Sequence, residues 1–153
     1  MLESDLIVRR IKEGTVIDHV AKGKGLQVVS ALDITGSNGH LITIALNVPS
    51  SKHSKKDIIK IEDQFLKADE TNKLAVIAPT CTINIIRDYK LVEKHRVEIP
   101  DIIENIFACS NPDCVTNSTE QIKPVMDVVE KSKRILKCRY CSRILDMDNM
   151  KYI

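Results

Sequence analysis

Short β-branched runs, separated by polar stretches rich in glycine, serine and proline, set the rhythm of the first two-thirds of the chain. Thr15-Val16-Ile17-Asp18-His19-Val20 is the first such run and predicts a strand. A Gly-Lys-Gly stretch then leads into residues 26–32, where Leu26, Val29 and Leu32, or Val28 and Leu32, recur at helical spacing. His40 to Val48 predicts a second strand, closed by Pro49, and a polar loop separates it from Ile58-Ile59-Lys60-Ile61-Glu62. The apolar content of 57–66 suits either period, but three isoleucines in four positions favour a strand, and the two runs pair as a hairpin. Asp69 or Thr71 is placed to cap a helix through Leu74, Ala75 and Ile77 that stops before Pro79. Cys81 to Glu93 then reads as one long final strand.

The resulting order, β-α-β-β-α-β, is the ferredoxin-like arrangement: an antiparallel sheet with two helices on one face. Charge and cysteine content change character near Ile99-Pro100-Asp101, and every cysteine except Cys81 lies beyond that point. The pattern therefore predicts an α+β chain with one domain over residues 1–100 and a smaller one over 101–153.

Composition adds bounds. A hydrophobic content of 43% supports an ordinary core, and a formal net charge of +2 gives the whole molecule no strong pull on nucleic acid or anionic membrane. The longest apolar runs are too short to span a bilayer, and the first residues lack a basic start followed by an apolar stretch, so the expected home is the cytoplasm. In that reducing compartment a disulfide framework is not expected. Cys81, in an apolar β-branched stretch, reads as a small buried hydrophobe.

The other cysteines form a C-x4-C pair, Cys109 and Cys114, and a C-x2-C pair, Cys138 and Cys141. Two short knuckles of this kind bring four thiolates around one zinc ion, with iron in a rubredoxin-like site as the chemical rival. Four thiolates fill the coordination shell, so the expected role of the ion, one per chain, is structural. A domain of this size has too small a core to stand without such a staple.

Lys56 and Lys60 are four apart and share a face in either a strand or a helix, which makes them candidate anion ligands with Lys94 as a third arm. Asp18 and His19 form a further polar cluster suited to ribose hydroxyls and phosphate. Gly23-Lys24-Gly25 lacks a phosphate-loop signature, and no nucleophile and base pair stands out. A different class of function, nucleic-acid binding, is suggested by Lys131, Lys133, Arg134, Lys137, Arg139 and Arg143 around the second knuckle, although Tyr140 is the lone aromatic there.

Residues 14–19 (GTVIDH), 42–50 (ITIALNVPS), 56–62 (KDIIKIE) and the C-x4-C…C-x2-C spacing, in this order, resemble the aspartate carbamoyltransferase regulatory chain from about Val8 to Cys141. The resemblance implies an N-terminal allosteric domain that binds nucleoside triphosphates and a small all-β rubredoxin-like zinc domain that docks on the catalytic chain. It implies a non-catalytic subunit of pyrimidine biosynthesis, paired with a second regulatory chain as a homodimer, with CTP and ATP as effectors and UTP as a third candidate. Carried onto this sequence, the nucleotide pocket draws on Val8, Arg9, Arg10, Ile11, Val16, Asp18, His19, Lys56, Lys60, Asn84, Ile86, Tyr89, Leu91 and Lys94. Lys94 and the neighbourhood of His19 would face the phosphates, Lys60 and Asp18 the ribose, and the backbone near Ile11 and Tyr89 the base edge. Arg9 is basic where the family pattern is acidic. Nucleic acid and membrane are not expected partners.

Overall fold

The computed structural model describes residues 9–51 and 54–153, and the chain divides into two compact units that part between Glu98 and Ile99. In the first unit the elements are β1 (Gly14–Ala21), α1 (Gly25–Ala31), β2 (Ile42–Pro49), β3 (Lys55–Glu62), α2 (Ala68–Thr71), β4 (Thr82–Arg87) and β5 (Lys90–Arg96). They form one antiparallel sheet in the order β2-β3-β1-β4-β5. The first four strands have the ferredoxin-like order and β5 is added outside β4. Period-two alternation sends Ile17, Ile59, Ile61 and Ile83 to the helix-covered side, where they are fully buried with Val28, Leu74 and Val76. Within α1 it is Val28 that is buried, while Leu26 points out at 61% exposure. Cys81 is wholly buried, and burial pushes its thiol up to about 12.

At the start of β1, Gly14 has φ of 141°, and a Cβ there would lie 2.1 Å from the Ile61 carbonyl oxygen. Only glycine lets these two strands close.

Two expectations need correction. The run from Cys81 to Glu93 is not one strand but the hairpin β4–β5, which turns at Asp88 and Tyr89 with φ of 51° and 65°. Two successive left-handed residues make a turn whose twist matches the strands it joins. The second helix begins at Ala68 with Lys67 in the N-cap position, so Asp69 and Thr71 both fall beyond the cap position, within the helix. Thr71 lies inside, its hydroxyl donating back to the Lys67 carbonyl at 3.2 Å, and the chain continues as a 3-10 turn over Asn72–Val76.

The second unit holds β6 (Ile102–Glu104), β7 (Phe107–Ala108), β8 (Val125–Glu130), β9 (Ile135–Cys138), β10 (Ile144–Asp146) and β11 (Lys151–Tyr152). Four strands form a sheet in the order β10-β9-β8-β6, and β11 pairs with β7. Its core is Ile103, Phe107, Met126 and Leu136, with the Tyr152 ring stacked on Phe107 at 5.2 Å between centroids. Among the described residues no helix is long and apolar enough to cross a membrane.

Candidate ligand face and metal centre

The side of the first sheet away from the helices is open, and strand register decides what lies on it. Lys60 of β3 stands opposite Val16 of β1, Val16 opposite Asn84 of β4, and Asn84 opposite Lys94 of β5. Directly opposed residues share a face, so these four form one row across four strands. Asn84 is tied down by donating through its Nδ2 to the Val16 carbonyl and the Thr82 hydroxyl, both at 3.3 Å. Lys60 is 9% exposed, and its ammonium donates to the Arg9 carbonyl, which fastens the segment before β1 over the sheet.

A cavity of about 220 Å³ lies beside this row, lined by Arg10, Ile11, Val16, Lys60, Ile86, Tyr89 and Leu91. A second, of about 430 Å³, is lined by Arg9, Arg10, Ile11, Lys12, Leu41, Thr43, Ala45, Glu62 and Tyr89. Arg9 thus borders the second cavity and not the first. Tyr89 is held at the rim by its N–H, which donates to the Lys12 carbonyl at 3.0 Å.

At the other end of the face, β1 carries an extra residue between Ile17 and Val20 relative to β3. His19 takes up a φ of 57° there, and its N–H donates to Asp18 Oδ1 at 2.6 Å. Lys56 Nζ pairs with the same oxygen at 2.9 Å, and His19 Nδ1 lies 3.4 Å from the Thr82 hydroxyl. The expected residues therefore fall into two groups on one face: the cavity lining, and the Asp18–Lys56–His19 cluster, with Asn84 and Lys94 spanning between them. Val8 lies outside the described residues. Thr82, which links His19 to Asn84, was not anticipated.

In the second unit the four cysteine sulfurs lie within 4.8 Å of one another, Cys109 to Cys141 at 3.6 Å and Cys114 to Cys138 at 3.7 Å. A tetrahedron with zinc–sulfur bonds of about 2.3 Å has edges of about 3.8 Å, so the donor set fits zinc in both chemistry and spacing. The knuckles are built locally. Asn117 Nδ2 donates to the carbonyls of Cys109 at 2.9 Å and Asn111 at 2.7 Å, and the Thr116 hydroxyl lies 3.2 Å from Cys114 Sγ. Burial pushes the Cys109 thiol up to about 12. At Cys141 burial acts in the same sense, but the Arg143 N–H and the Asn111 side chain outweigh it and hold the thiol at about 6.

The cations near the second knuckle are largely paired with acids. Lys131 meets Asp101 and Arg134 meets Asp148, each at 2.9 Å, and Arg139 bonds Asp127 through both Nε and Nη2. The Arg139 guanidinium holds the Asp127 carboxyl below the usual carboxylate range. Among the described residues, the patch read from sequence as a phosphate footprint is mostly neutralised.

A helix-backed sheet with cations on its open face, joined to a closed four-thiolate module, defines a two-domain chain with a structural metal site. Two family models match it: "Aspartate carbamoyltransferase regulatory chain, allosteric domain" over residues 6–98, and the metal binding domain of the same chain over residues 101–151. Relatives named aspartate carbamoyltransferase regulatory chain include one from Nitrosopumilus maritimus, 68% identical over 99% of both chains. Another, from Cenarchaeum symbiosum, is 66% identical over 99% of both, and one from Pyrococcus furiosus is 47% identical over 96% of this chain and 97% of its own. The chain belongs to the aspartate carbamoyltransferase regulatory chain family. It is accordingly a non-catalytic subunit that associates with the catalytic chain and carries structural zinc.

Proposed function

We propose that the open face of the first sheet binds nucleoside triphosphates, CTP and ATP with UTP as a third candidate, and that the zinc unit is the part that grips the catalytic chain. The row Lys60–Val16–Asn84–Lys94 beside a cavity carries this reading, since it sets ammonium groups at its two ends with the Asn84 amide between them. The Asp18–Lys56–His19 cluster supplies further donors and acceptors for ribose and phosphate. Arg9, bordering the neighbouring cavity, adds a cation next to the base end rather than under it. Val8 completes the set of proposed ligands.

An effector changes activity only if it binds the low- and high-activity states of the assembly unequally, and such couplings amount to about 1–3 kcal/mol. A homodimer is part of the reading. The edge strand β2 supports it by exposing Ile44 at 39% and Leu46 at 45%, with Leu41 just before it at 64%, beside a backbone edge that pairs with no strand among the described residues. We place the chain in the cytoplasm, where thiols remain available to zinc.

Calorimetric titration of the full chain with CTP and with ATP tests the nucleotide site. Saturable binding that weakens in Lys94→Ala is the expected result, and the absence of binding by either nucleotide would overturn it.

A further inference from the structure

Asp57 is a charged residue on the wrong side of its strand. In β3 it alternates with Ile59 and Ile61 toward the helices, and it is fully buried. Backbone N–H groups meet its carboxylate: Oδ2 accepts from those of Gly23 at 3.1 Å and Gly25 at 2.9 Å, and Oδ1 accepts from Asn47 at 2.9 Å. One side chain therefore ties its own strand to the edge strand β2 and to the turn between β1 and α1.

Both strands that flank β3 carry an extra residue at this level. In β1, Asp18 and His19 fall between the pairs Ile17↔Ile59 and Val20↔Asp57; in β2, Leu46 and Asn47 fall between Ala45↔Ile58 and Val48↔Lys56. His19 and Asn47 absorb the irregularities in left-handed conformations, with φ of 57° and 61°. The bulge in β1 has a direct result on the open face. Strict alternation after Ile17 would send His19 into the core and Val20 out, whereas Val20 is fully buried and His19 joins Asp18 outside. A bulge leaves backbone groups without ladder partners; the Asp57 carboxylate takes up the N–H of Asn47 in the β2 bulge and, on the β1 side, those of Gly23 and Gly25 in the turn just past its bulge.

We propose that Asp57 is the positioning residue for the anion-binding end of the open face: it holds the β2 bulge and the turn that follows the β1 bulge, which keeps Asp18 and His19 turned toward the ligand and Lys56, its neighbour, where it meets Asp18. It acts from the opposite side of the sheet and touches no ligand. The inference rests on the nucleotide reading above and deepens it. Gly25 is part of the same device, because a Cβ there would stand 3.0 Å from Asp57 Oδ2 and 2.7 Å from Leu46 Cδ2.

The test compares CTP with CMP, which share base and ribose and differ in the phosphates that reach the anion end. In Asp57→Asn the neutral amide offers one acceptor where the carboxylate offered two, and CTP affinity falls by about ten- to a hundredfold, the range expected for lost charge-assisted hydrogen bonds. CMP affinity changes by less than about threefold, so the preference for CTP shrinks. Gly25→Ala, which leaves the carboxylate in place and crowds it away from its donors, gives the same split. Asn47→Gly, which keeps both the N–H and the left-handed backbone, leaves the preference unchanged. In the unaltered chain, amide exchange at Gly25 and Asn47 slows on adding CTP and not on adding CMP, a readout independent of whether either variant folds. Equal losses for CTP and CMP, or no slowing at Gly25 and Asn47, overturn the proposal while leaving the nucleotide site standing. Failure of the unaltered chain to bind either nucleotide overturns both.

Discussion

The zinc cluster and the open face both gather side chains that are distant in sequence, and they do so by opposite means. At the cluster each pair of ligands sits inside one short knuckle, and a bonded ion holds the two knuckles together. At the face, Lys60, Val16, Asn84 and Lys94 meet because four strands pair in one register, and no two of them are neighbours in the chain. The first arrangement draws its stability from coordination, the second from a buried sheet. A perturbation that dissolves one should therefore spare the other.

Removing zinc has the largest expected effect. Structural zinc contributes on the order of 10–16 kcal/mol in small domains, more than the core of residues 101–153 can replace. Amide exchange after chelation should reach unfolded rates in β6, β8 and β9 while β1, β3 and β4 stay protected. Protection lost in both units would show that the two are not energetically separate.

Acid should produce the same loss gradually. Cys109 is raised to about 12 and Cys138 is also raised, so the metal-free cluster holds protons at neutral pH that zinc must displace. Zinc binding is therefore strongest in alkali and weakens as pH falls, by at least about tenfold per unit below pH 7. A competition titration with a chromophoric chelator between pH 8 and pH 6 reads this directly, and a flat profile would contradict it.

Smaller effects are expected on the open face. Lys94→Ala and Lys60→Ala should each weaken CTP binding by about 1–3 kcal/mol with zinc content unchanged. The smallest belongs to the paired cations of the second unit. Lys131→Ala breaks an exposed ion pair with Asp101 and should leave the thermal midpoint unmoved, because solvent and salt screen such pairs.

The same contrast governs what could be read from the chain before folding. Cys109, Cys114, Cys138 and Cys141 were legible because their spacing is itself the knuckle, and Lys56 and Lys60 because a separation of four keeps them on one face. The β4–β5 hairpin was not, since Arg87-Asp88-Tyr89-Lys90 lacks the glycine that usually marks two left-handed turn residues. Asp69 and Thr71 look like caps by type, yet the helix starts one residue before the first of them. The neutralisation of Arg134 and Arg139 depends on Asp148 and Asp127, which only the folded unit brings near. Asp57 left a trace that went unused: an acid sharing the buried parity of Ile59 and Ile61 demands buried donors.

The most direct test follows both activities through zinc removal in the full chain. CTP affinity by calorimetry and association with the catalytic chain by sedimentation are measured before and after chelation, and again after zinc is restored. Association should be lost and regained with zinc, while CTP affinity stays within about twofold throughout, as expected for sites in energetically separate units. Loss of CTP binding together with the metal, or association that persists without it, would contradict the division of the chain into a zinc-held docking unit and a sheet-held ligand face.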